Sequence, residues 1–532
     1  MPAKSLMVLG TASGVGKSLL AAGFCRLFSD WGYRVAPFKA QNMSNNSYVT
    51  DEGGEIGRAQ AVQAWCARVT PSTDMNPILL KPSEDNCSQV ILHGKAIGHF
   101  AARQYYGKRE LLEQAIRESY GRLAANHEWI VIEGAGSPAE VNLKKYDLVN
   151  MKMAEMADAR CVLVADIDRG GVFASVVGTL DLLEPEERDR IDGIIINKFR
   201  GDSSLFKDGI EFIEKRTGKK VWGVMPYDRD LWIEEEDGLR KDGDMLSSPN
   251  VSVGDPRLVD SRLKACGNDT LDIAVILLPR MSNFTDFEIL RQEPGVRLRY
   301  VKRIEELGEP DLLILPGTKS TVQDFQDIQA RGFIPVLRNF VARGGKMLGI
   351  CGGYQMMGKN IRDPQNTESA ISEMEGLGFF NMTTEFMPEK VVRQVREEVA
   401  AELFGQKIKG QIEAYEIHMG VTARHENYPA FGKEGAVDFS GRLAGTYYHG
   451  LFDHPEFRAS FLTALARSAG KSLGSGNVLS VIDLREIHFN RLRDLLVRNL
   501  DLQFLQRMCH PERSEGSPGL ASEILRCAQN DR

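Results

Sequence analysis

A glycine-rich loop near the start of the chain restricts the fold more than any other sequence feature. It reads Gly10-Thr-Ala-Ser-Gly-Val-Gly-Lys-Ser18 and lies between a short apolar run, Leu6–Leu9, and an amphipathic stretch. Loops of this kind between a strand and a helix hold phosphate groups with backbone N–H groups, a lysine and a magnesium-binding hydroxyl. The spacing is a variant, because five residues rather than four separate Gly10 from the Gly-Lys-Ser triplet. The predicted ATP-binding residues of the loop are Thr11, Gly14, Gly16, Lys17 and Ser18.

Two further polar segments are predicted at the same site, since each follows an apolar run that is typical of a buried strand. Glu133 follows Trp129–Ile132, and the pair Asn197-Lys198 follows Gly193–Ile196. Ligands of open α/β sheets bind at the carboxyl ends of the strands. We therefore expect Ser18 and Glu133 to hold Mg²⁺, and Asn197 and Lys198 to contact the purine ring of ATP.

Short apolar runs alternate with amphipathic stretches along most of the chain, a pattern that is typical of α/β domains with a parallel sheet covered by helices. The alternation fades after residue 226 and begins again at Leu271. A chain of 532 residues is too long for one hydrophobic core. We therefore predict two α/β domains at residues 1–233 and 270–504, a linker at 234–269 and a disordered polar tail at 505–532.

Composition and charge exclude several other classes of protein. Apolar residues make up 42% and charged residues 26%, which is ordinary for a soluble globular protein. No run of about twenty uncharged apolar residues occurs, so we expect no membrane-spanning segment. The net charge of -7 gives no general attraction to nucleic acid. Eight cysteines without a regular spacing are typical of a reducing compartment, and we therefore expect a cytoplasmic protein.

A cysteine between glycines marks the second domain. Cys351 lies in the string Gly349-Ile-Cys-Gly-Gly353, directly after an apolar run. This pattern predicts a tight strand-to-helix turn that exposes a nucleophilic sulfur and directs backbone N–H groups at a developing oxyanion. Gly352 is predicted to supply one of these donors, and Gly317, at the end of an earlier strand, the other.

Three histidines are candidates for the base that assists Cys351. His449 lies at the end of an aromatic run, His418 lies in Tyr-Glu-Ile-His-Met-Gly, and His454 begins the string His-Pro-Glu. Residue spacing does not choose among them, so all three remain open at this point.

Together, the two motifs indicate a ligase that obtains ammonia from glutamine. A carboxylate resists ammonia until phosphoryl transfer from ATP converts it to an acyl phosphate with a good leaving group. Ammonium is not nucleophilic, so a thiolate such as that of Cys351 would release ammonia from the glutamine side-chain amide in a shielded site. We therefore expect two sites in series, with ammonia passing internally from the second domain to the first.

Several longer strings resemble the cobyric acid synthase family, and the resemblance covers roughly residues 5 to 500. The strings are Gly10–Ser18, Pro37–Ser47, Gly54–Gln60, Asp166–Ala174, Leu278–Asp286, Leu315–Thr321, Gly349–Gln355 and Tyr447–Phe452. The N-terminal half is also similar to dethiobiotin synthetase, and the C-terminal half to class I glutamine amidotransferases. The resemblance implies a P-loop-type parallel-sheet domain followed by a flavodoxin-like amidotransferase domain.

The resemblance also implies which histidine acts with Cys351. In the family the base is the histidine of the aromatic-His-Gly-Leu-Phe string, which corresponds to His449. Leu451 stands where related amidotransferases carry the glutamate that orients the imidazole. Glu416 and Asp453 are the candidates that we name for this orienting group.

An acceptor substrate follows from the same resemblance. It is expected to be adenosylcobyrinic acid a,c-diamide, amidated at its b, d, e and g carboxylates with ATP, Mg²⁺ and glutamine. The polar string from Lys39 to Asn46 is expected to line a pocket for the propionate groups of this corrinoid. The predicted substrate-binding residues are Lys39, Gln41, Asn42, Asn45 and Arg169.

Three other functions fit parts of the sequence. A cobyrinic acid a,c-diamide synthase would share the two-domain arrangement, although the string from Lys39 to Asn46 favours cobyric acid formation. A carboxylating ligase of the dethiobiotin type would not need Cys351. A non-enzymatic, ATP-switched binding module of the chromosome-partitioning kind would usually carry a lysine near position 13, where this chain has Ser13.

Overall fold

The computed structural model of the protein describes residues 3–84, 87–234, 270–473 and 478–509. Two α/β domains follow one another along the chain, as the sequence predicts. Apart from Glu234, the predicted linker at 234–269 lies outside the described residues, and so does the predicted tail after Cys509.

The first domain contains twelve strands and eight helices in its described residues. In chain order these are β1 (Lys4–Gly10), α1 (Lys17–Asp30), β2 (Val35–Phe38), β3 (Gln41–Met43), β4 (Ser47–Val49), β5 (Glu55–Gly57), α2 (Arg58–Cys66), β6 (Ile78–Glu84), β7 (Cys87–Leu92), β8 (Lys95–Ala101), α3 (Ala102–Tyr106), α4 (Arg109–Asn126), β9 (Trp129–Glu133), α5 (Met151–Met156), β10 (Arg160–Asp166), α6 (Val172–Leu182), α7 (Pro185–Asp189), β11 (Ile191–Phe199), α8 (Lys207–Thr217) and β12 (Lys220–Pro226).

A six-stranded parallel sheet in the order β12-β11-β10-β1-β9-β2 forms the centre of this domain. Alternate residues of β1 pack into two different cores, because side chains of a strand point to opposite faces. Met7 and Leu9 join one core, and Leu6 and Val8 join the other. Burial of each such side chain stabilises the fold by roughly 1.5–3 kcal/mol. Helices therefore cover both faces and leave the carboxyl ends of the strands for ligands.

Two small sheets extend the first domain beyond β2. One has the order β3-β6-β7-β8, and the other is the antiparallel pair β4-β5. They carry residues 41–57 away from the central sheet and toward the second domain.

The second domain contains eleven strands and seven helices in its described residues. In chain order these are β13 (Leu271–Ile276), α9 (Thr285–Arg291), β14 (Val296–Val301), β15 (Leu312–Leu315), α10 (Thr321–Ala330), α11 (Phe333–Ala342), β16 (Met347–Ile350), α12 (Gly352–Met356), β17 (Gly358–Arg362), β18 (Glu373–Glu375), β19 (Phe380–Leu403), β20 (Gln406–Arg424), β21 (Ala430–Phe431), β22 (Gly435–Val437), β23 (Leu443–Thr446), α13 (Pro455–Ser468), α14 (Val481–Asn499) and α15 (Leu502–Cys509).

The main sheet of this domain has the order β14-β13-β15-β16-β23-β22-β21, and its first five strands are parallel. Those five strands follow the order 2-1-3-4-5 of the flavodoxin-like fold, which confirms the predicted fold class. A separate sheet, β18-β17-β19-β20, contains the long hairpin of β19 and β20. The hairpin contacts β4 of the first domain.

The last two helices differ from the predicted domain division. The sequence assigns residues 270–504 to the second domain, but α14 packs on α1 of the first. Its residues Phe489, Leu492 and Leu496 are spaced to lie on one helix face and join the core that contains Leu6 and Val8. The following helix, α15, ends at Cys509 and so extends into the stretch predicted as a tail.

Among the described residues, no helix combines the length and the apolar character that crossing a bilayer requires.

Candidate active site

Cys351 lies at the turn between β16 and α12, at the carboxyl edge of the second parallel sheet. Its φ of 51° and ψ of -109° are values that residues other than glycine rarely adopt. The flanking glycines are required by close packing. A β-carbon on Gly349 would lie 2.8 Å from the Tyr354 nitrogen, and one on Gly353 would overlap the Leu315 carbonyl oxygen. The string around the thiol therefore forms the tight turn that the sequence predicts.

His449 is the histidine whose side chain lies beside this turn. It follows β23, whose residues pair with β16. A β-carbon added to Gly317 would lie 2.8 Å from Cε1 of His449 and 3.6 Å from Cβ of Cys351. The imidazole and the Cys351 side chain are therefore both close to Gly317. Cys351 is 5% exposed and His449 is 1% exposed, so the chemistry is shielded from water.

A buried carboxylate holds the imidazole. Oδ2 of Asp286 lies 2.7 Å from Nδ1 of His449, and Oδ1 of the same carboxylate accepts a hydrogen bond from the Gly450 N–H at 2.9 Å. Because Nδ1 is engaged, Nε2 is the nitrogen that can serve Cys351. Burial alone would lower the pKa of His449, but the Asp286 carboxylate and the Cys351 thiol outweigh it and raise this pKa to about 10. The site is a Cys-His-Asp arrangement that favours the charged imidazolium.

Both orienting groups named from the sequence are wrong. Glu416 contacts His418 at 3.1 Å instead, and Asp453 lies 3.9 Å from Arg485. Asp286 lies 163 positions before His449, so no local spacing indicates it. Its one signal in the sequence is its place at the end of the string Leu278–Asp286.

The other two histidines have different surroundings. Nδ1 of His418 is 2.8 Å from the Gly420 carbonyl oxygen, and its ring stacks on Tyr447. His454 lies at the start of α13. These positions favour His449 as the partner of the thiol.

The two glycines predicted to stabilise an oxyanion adjoin the thiol. Gly317 lies close to both Cys351 and His449. A β-carbon on Gly352 would lie 2.6 Å from Cγ2 of Thr318, so the turns at the ends of β15 and β16 are in contact. The role of their N–H groups stays a prediction.

The phosphate loop connects β1 to α1 in the first domain. Nζ of Lys17 donates hydrogen bonds to the carbonyl oxygens of Ala12 and Gly136, at 2.9 and 3.0 Å. Gly16 has a φ of 100°, and a β-carbon there would overlap the side-chain amide of Asn197. The loop conformation therefore requires a glycine at this position.

Glu133 is the most heavily hydrogen-bonded carboxylate beside this loop. Its Oε1 accepts from Ser18 Oγ at 2.8 Å and from Lys39 Nζ at 3.0 Å, and its Oε2 accepts from Gln63 Nε2 at 2.6 Å. Burial opposes ionisation, but Lys39, Ser18 and Gln63 hold the pKa of Glu133 below its ordinary value. An ionised carboxylate beside a hydroxyl fits Mg²⁺, which binds few protein oxygens and completes its shell with phosphates and water.

Asn197 and Lys198 lie at the end of β11 and support the loop from the side. Nδ2 of Asn197 donates to the Val15 carbonyl oxygen at 2.8 Å, and Nζ of Lys198 donates to the Gly14 carbonyl oxygen at 2.7 Å. Lys198 also pairs with Asp166 at 3.0 Å. Contact of this pair with a purine stays a prediction.

These groups surround a cavity of about 490 Å³, a volume within the range of small-molecule sites. The predicted residues that line it are Gly14, Gly16, Lys17, Ser18, Lys39, Asn42, Glu133, Asn197 and Lys198. The other four predicted residues lie outside the described lining.

Each of these four residues has a different environment. The Thr11 N–H donates to the Val164 carbonyl oxygen, and Gln41 accepts a hydrogen bond from the Tyr105 hydroxyl. Asn45 is partly buried, and Arg169 is exposed in the loop after β10. The structure therefore brings together most of the predicted phosphate-loop residues, Lys39 and Asn42. A role of Gln41, Asn45 and Arg169 in substrate binding stays a prediction.

Two family models match the chain. Residues 6–240 match the CobQ/CobB/MinD/ParA nucleotide binding domain, and residues 272–457 match the CobB/CobQ-like glutamine amidotransferase domain. The first covers the phosphate loop, and the second covers Cys351, His449 and Asp286.

Curated relatives match over nearly the whole length. The cobyric acid synthase of Syntrophobacter fumaroxidans is 43% identical over 95% of this chain and 98% of its own. That of Desulfitobacterium hafniense is 46% identical over 95% and 98%, and that of Pelotomaculum thermopropionicum is 48% identical over 89% of each chain. With both domains matched in order, the chain belongs to the cobyric acid synthase family.

Proposed function

We propose that the protein amidates the b, d, e and g carboxylates of adenosylcobyrinic acid a,c-diamide to give adenosylcobyric acid, with ATP and glutamine as co-substrates. The observation that carries this proposal is the presence of a buried Cys-His-Asp site and a phosphate-loop cavity in one chain. A ligase that makes its own ammonia needs both. Membership of the family supports the choice of a corrinoid acceptor.

Ammonia is released in the second domain. The Cys351 thiolate attacks the side-chain amide carbon of glutamine, and the resulting oxyanion is stabilised by the N–H groups of Gly317 and Gly352. The His449 imidazolium then donates its proton to the departing ammonia, while Asp286 keeps the ring oriented. Water, activated by the now neutral His449, hydrolyses the thioester and releases glutamate.

The carboxylate is activated in the first domain. Lys17 and the loop N–H groups position the phosphates of ATP, and Ser18 and Glu133 would hold Mg²⁺. Mg²⁺ would neutralise charge on the β- and γ-phosphates. The acceptor carboxylate, next to Lys39 and Asn42, attacks the γ-phosphorus. The bond between this phosphorus and the β,γ-bridging oxygen breaks, so that ADP leaves and an acyl phosphate is formed. Ammonia then attacks the acyl carbon and displaces phosphate.

We expect ammonia to pass between the two sites inside the protein. The test is a reaction with ¹⁵N-amide glutamine in the presence of unlabelled ammonium. Product amides that carry mainly ¹⁵N support internal transfer. Full dilution of the label by the ammonium of the solution would contradict it.

Mass spectrometry of the corrinoid tests the proposed function. The enzyme is incubated with ATP, Mg²⁺, glutamine and either adenosylcobyrinic acid a,c-diamide or cobyrinic acid. We expect conversion of the a,c-diamide to a product with four new amides. Conversion of cobyrinic acid to its a,c-diamide alone would indicate the sister activity. ATP hydrolysis with no amidation of either acceptor would indicate a binding module.

A further inference from the structure

Ser47 of the first domain contacts the neighbours of His449 in the second. It lies at the start of β4 and is fully buried. Its N–H donates to Oδ1 of Asn283 at 2.9 Å, and its carbonyl oxygen accepts a hydrogen bond from the Tyr415 hydroxyl at 3.3 Å. One residue of the first domain is therefore bonded to two segments of the thiol site.

Asn283 connects Ser47 to the carboxylate that orients His449. It lies just before α9 and has a φ of 51°, a left-handed conformation that asparagine adopts more readily than most residues. Its carbonyl oxygen accepts a hydrogen bond from the Asp286 N–H at 3.0 Å. The side chain of Asn283 is thus bonded to the first domain, and its backbone carbonyl is bonded to Asp286. Asn283 therefore links the first domain to the turn that carries Asp286.

Tyr415 provides the second connection. Its backbone N–H and carbonyl pair with those of His449 at 3.0 and 2.9 Å. The two rings stack, with centroids 5.5 Å apart and planes inclined by 23°. The Tyr415 ring, against which the imidazole packs, is therefore also hydrogen-bonded to Ser47 through its hydroxyl.

A buried ion group anchors Ser47 itself. Nζ of Lys81 donates to the Ser47 hydroxyl at 3.0 Å and to Glu55 Oε1 at 2.6 Å. Lys390, on β19 of the second domain, pairs with the other oxygen of Glu55. Burial opposes ionisation of Glu55, but the two lysines hold its pKa well below the ordinary value. Because this group spans the two domains, Ser47 has a defined position relative to His449.

We propose that Asn283 is a positioning residue for glutamine hydrolysis, which it supports by joining the Asp286 turn to Ser47 of the first domain. On this inference the glutaminase site is complete only when the first domain is in contact with it. The inference rests on the proposed function of Cys351 in glutamine hydrolysis. It assigns Asn283 no contact with the substrate.

Asn283→Gly tests the proposal, because glycine tolerates the left-handed backbone and removes the side chain that accepts the hydrogen bond from Ser47. We expect kcat for glutamine hydrolysis to fall about ten-fold or more, with KM for glutamine changed by less than about two-fold. Amidation with ammonium chloride in place of glutamine should stay within about two-fold of the wild type. Asn283→Asp, which keeps an acceptor oxygen and the backbone preference, should restore most of the lost kcat.

Glu486→Gln is the matched control. It weakens another long-range contact of the first domain, the pair of Arg26 on α1 and Glu486 on α14, which includes no neighbour of His449. We expect unchanged glutamine hydrolysis. Wild-type kcat in Asn283→Gly would overturn the proposal, as would an equal loss of ammonium-dependent amidation, which would indicate general disruption. If the wild-type enzyme does not hydrolyse glutamine, the proposed function is overturned, and this inference with it.

Discussion

In the proposed glutaminase reaction, the Cys351 thiol acts with the pair of Asp286 and His449. An imidazole buried to this extent would ordinarily be neutral, since burial disfavours its charge. The carboxylate at 2.7 Å reverses that preference. It also fixes the ring by Nδ1. In the proposed reaction, the proton that His449 gives to ammonia therefore comes from Nε2.

Asp286→Asn should lower kcat for glutamine hydrolysis by about 100-fold, the size of a general acid–base contribution. The pKa of His449 is raised in the folded protein to about 10, and an activity that requires the imidazolium is lost as pH rises through that value. Without the carboxylate the pKa falls, so this alkaline loss should occur at lower pH in the variant. The pH profile of kcat measures it.

Asp453→Asn is the control for this change, because Asp453 is a carboxylate nearby in the sequence that pairs with Arg485 rather than His449. In this variant, the loss of kcat at high pH should occur at the same pH as in the wild type. If Asp286→Asn loses kcat at the same high pH as the wild type, the role of Asp286 is contradicted.

Gly317→Ala should impair glutamine hydrolysis through a steric clash. The added methyl would lie 2.8 Å from Cε1 of His449, closer than carbon atoms pack. We expect kcat to fall about ten-fold or more with little loss of stability. Steady-state glutaminase assays measure the effect. Gly121→Ala is the control, because Gly121 lies on α4 with no atom within 4 Å of the new methyl, and it should keep full activity. Equal kcat values for glutamine hydrolysis in the two variants would refute the clash.

Strand-loop-helix units are the elements that the sequence predicts best. The loop between β1 and α1 and the turn between β16 and α12 each carry their chemistry within about ten consecutive residues, so composition and order suffice to identify them. The hairpin of β19 and β20 was not predicted. Many of its residues are charged and exposed, so it lacks the apolar run that marks a buried strand. The sequence also does not predict the packing of α14 on α1, because an apolar helix face does not indicate which element it packs against.

Gly16→Ala should disable the phosphate loop while the thiol site keeps working. The new methyl would overlap the Asn197 amide, and the backbone φ of 100° is unfavourable for alanine. We expect loss of nucleotide binding in calorimetric titration and loss of ammonium-dependent amidation, with glutamine hydrolysis retained.

Gly32→Ala is the matched control for the phosphate loop. Gly32 also has a positive φ, 86°, but a β-carbon there meets no atom within 4 Å. It should cost about 1–2 kcal/mol of stability from the backbone alone and leave nucleotide binding unchanged. Normal nucleotide binding by Gly16→Ala would contradict the described loop.

For the whole molecule, a buried group of charges joins the first domain to the C-terminal helices. Glu234 lies 2.8 Å from Arg58 on α2 and 2.9 Å from Arg485 on α14. The Arg485 guanidinium also lies 4.0 Å from the ring centre of Trp65. Burial opposes ionisation of Glu234, but the two arginines lower its pKa to about 2.

Glu234→Gln should lower the free energy of unfolding by about 3–5 kcal/mol at neutral pH, because two buried arginines lose their counter-charge. A depressed pKa in the folded state stabilises the fold above the ordinary value of the unfolded chain, 4.5, and this contribution is lost as pH falls through about 2. The difference in urea denaturation between variant and wild type should therefore shrink over that range.

Glu309→Gln removes an exposed partner of Arg343 and should change stability by less than about 1 kcal/mol. A similarly small effect of Glu234→Gln at neutral pH would contradict the importance of the buried group.

Contacts between distant segments explain what the sequence could not predict about the site. Cys351, His449, the phosphate loop and Glu133 each lie in a local pattern or a family string that indicates chemistry. Asp286 meets His449 across 163 positions, and Ser47 meets Asn283 across 236. The fold of the second domain brings the first pair together, and the packing of the two domains brings the second pair together. Arg169 also lies in a family string, and the structure shows its side chain only as exposed in the loop after β10.

Which nitrogen donor the Cys351→Ala variant can use tests most directly whether the two sites work in series. Corrinoid amidation is measured by mass spectrometry with glutamine or with ammonium chloride as the only nitrogen donor. The wild type should use either donor. Cys351→Ala should use ammonium at close to the wild-type rate and fail with glutamine. Amidation from glutamine by Cys351→Ala, or loss of amidation from both donors, would contradict the division of labour between the two domains.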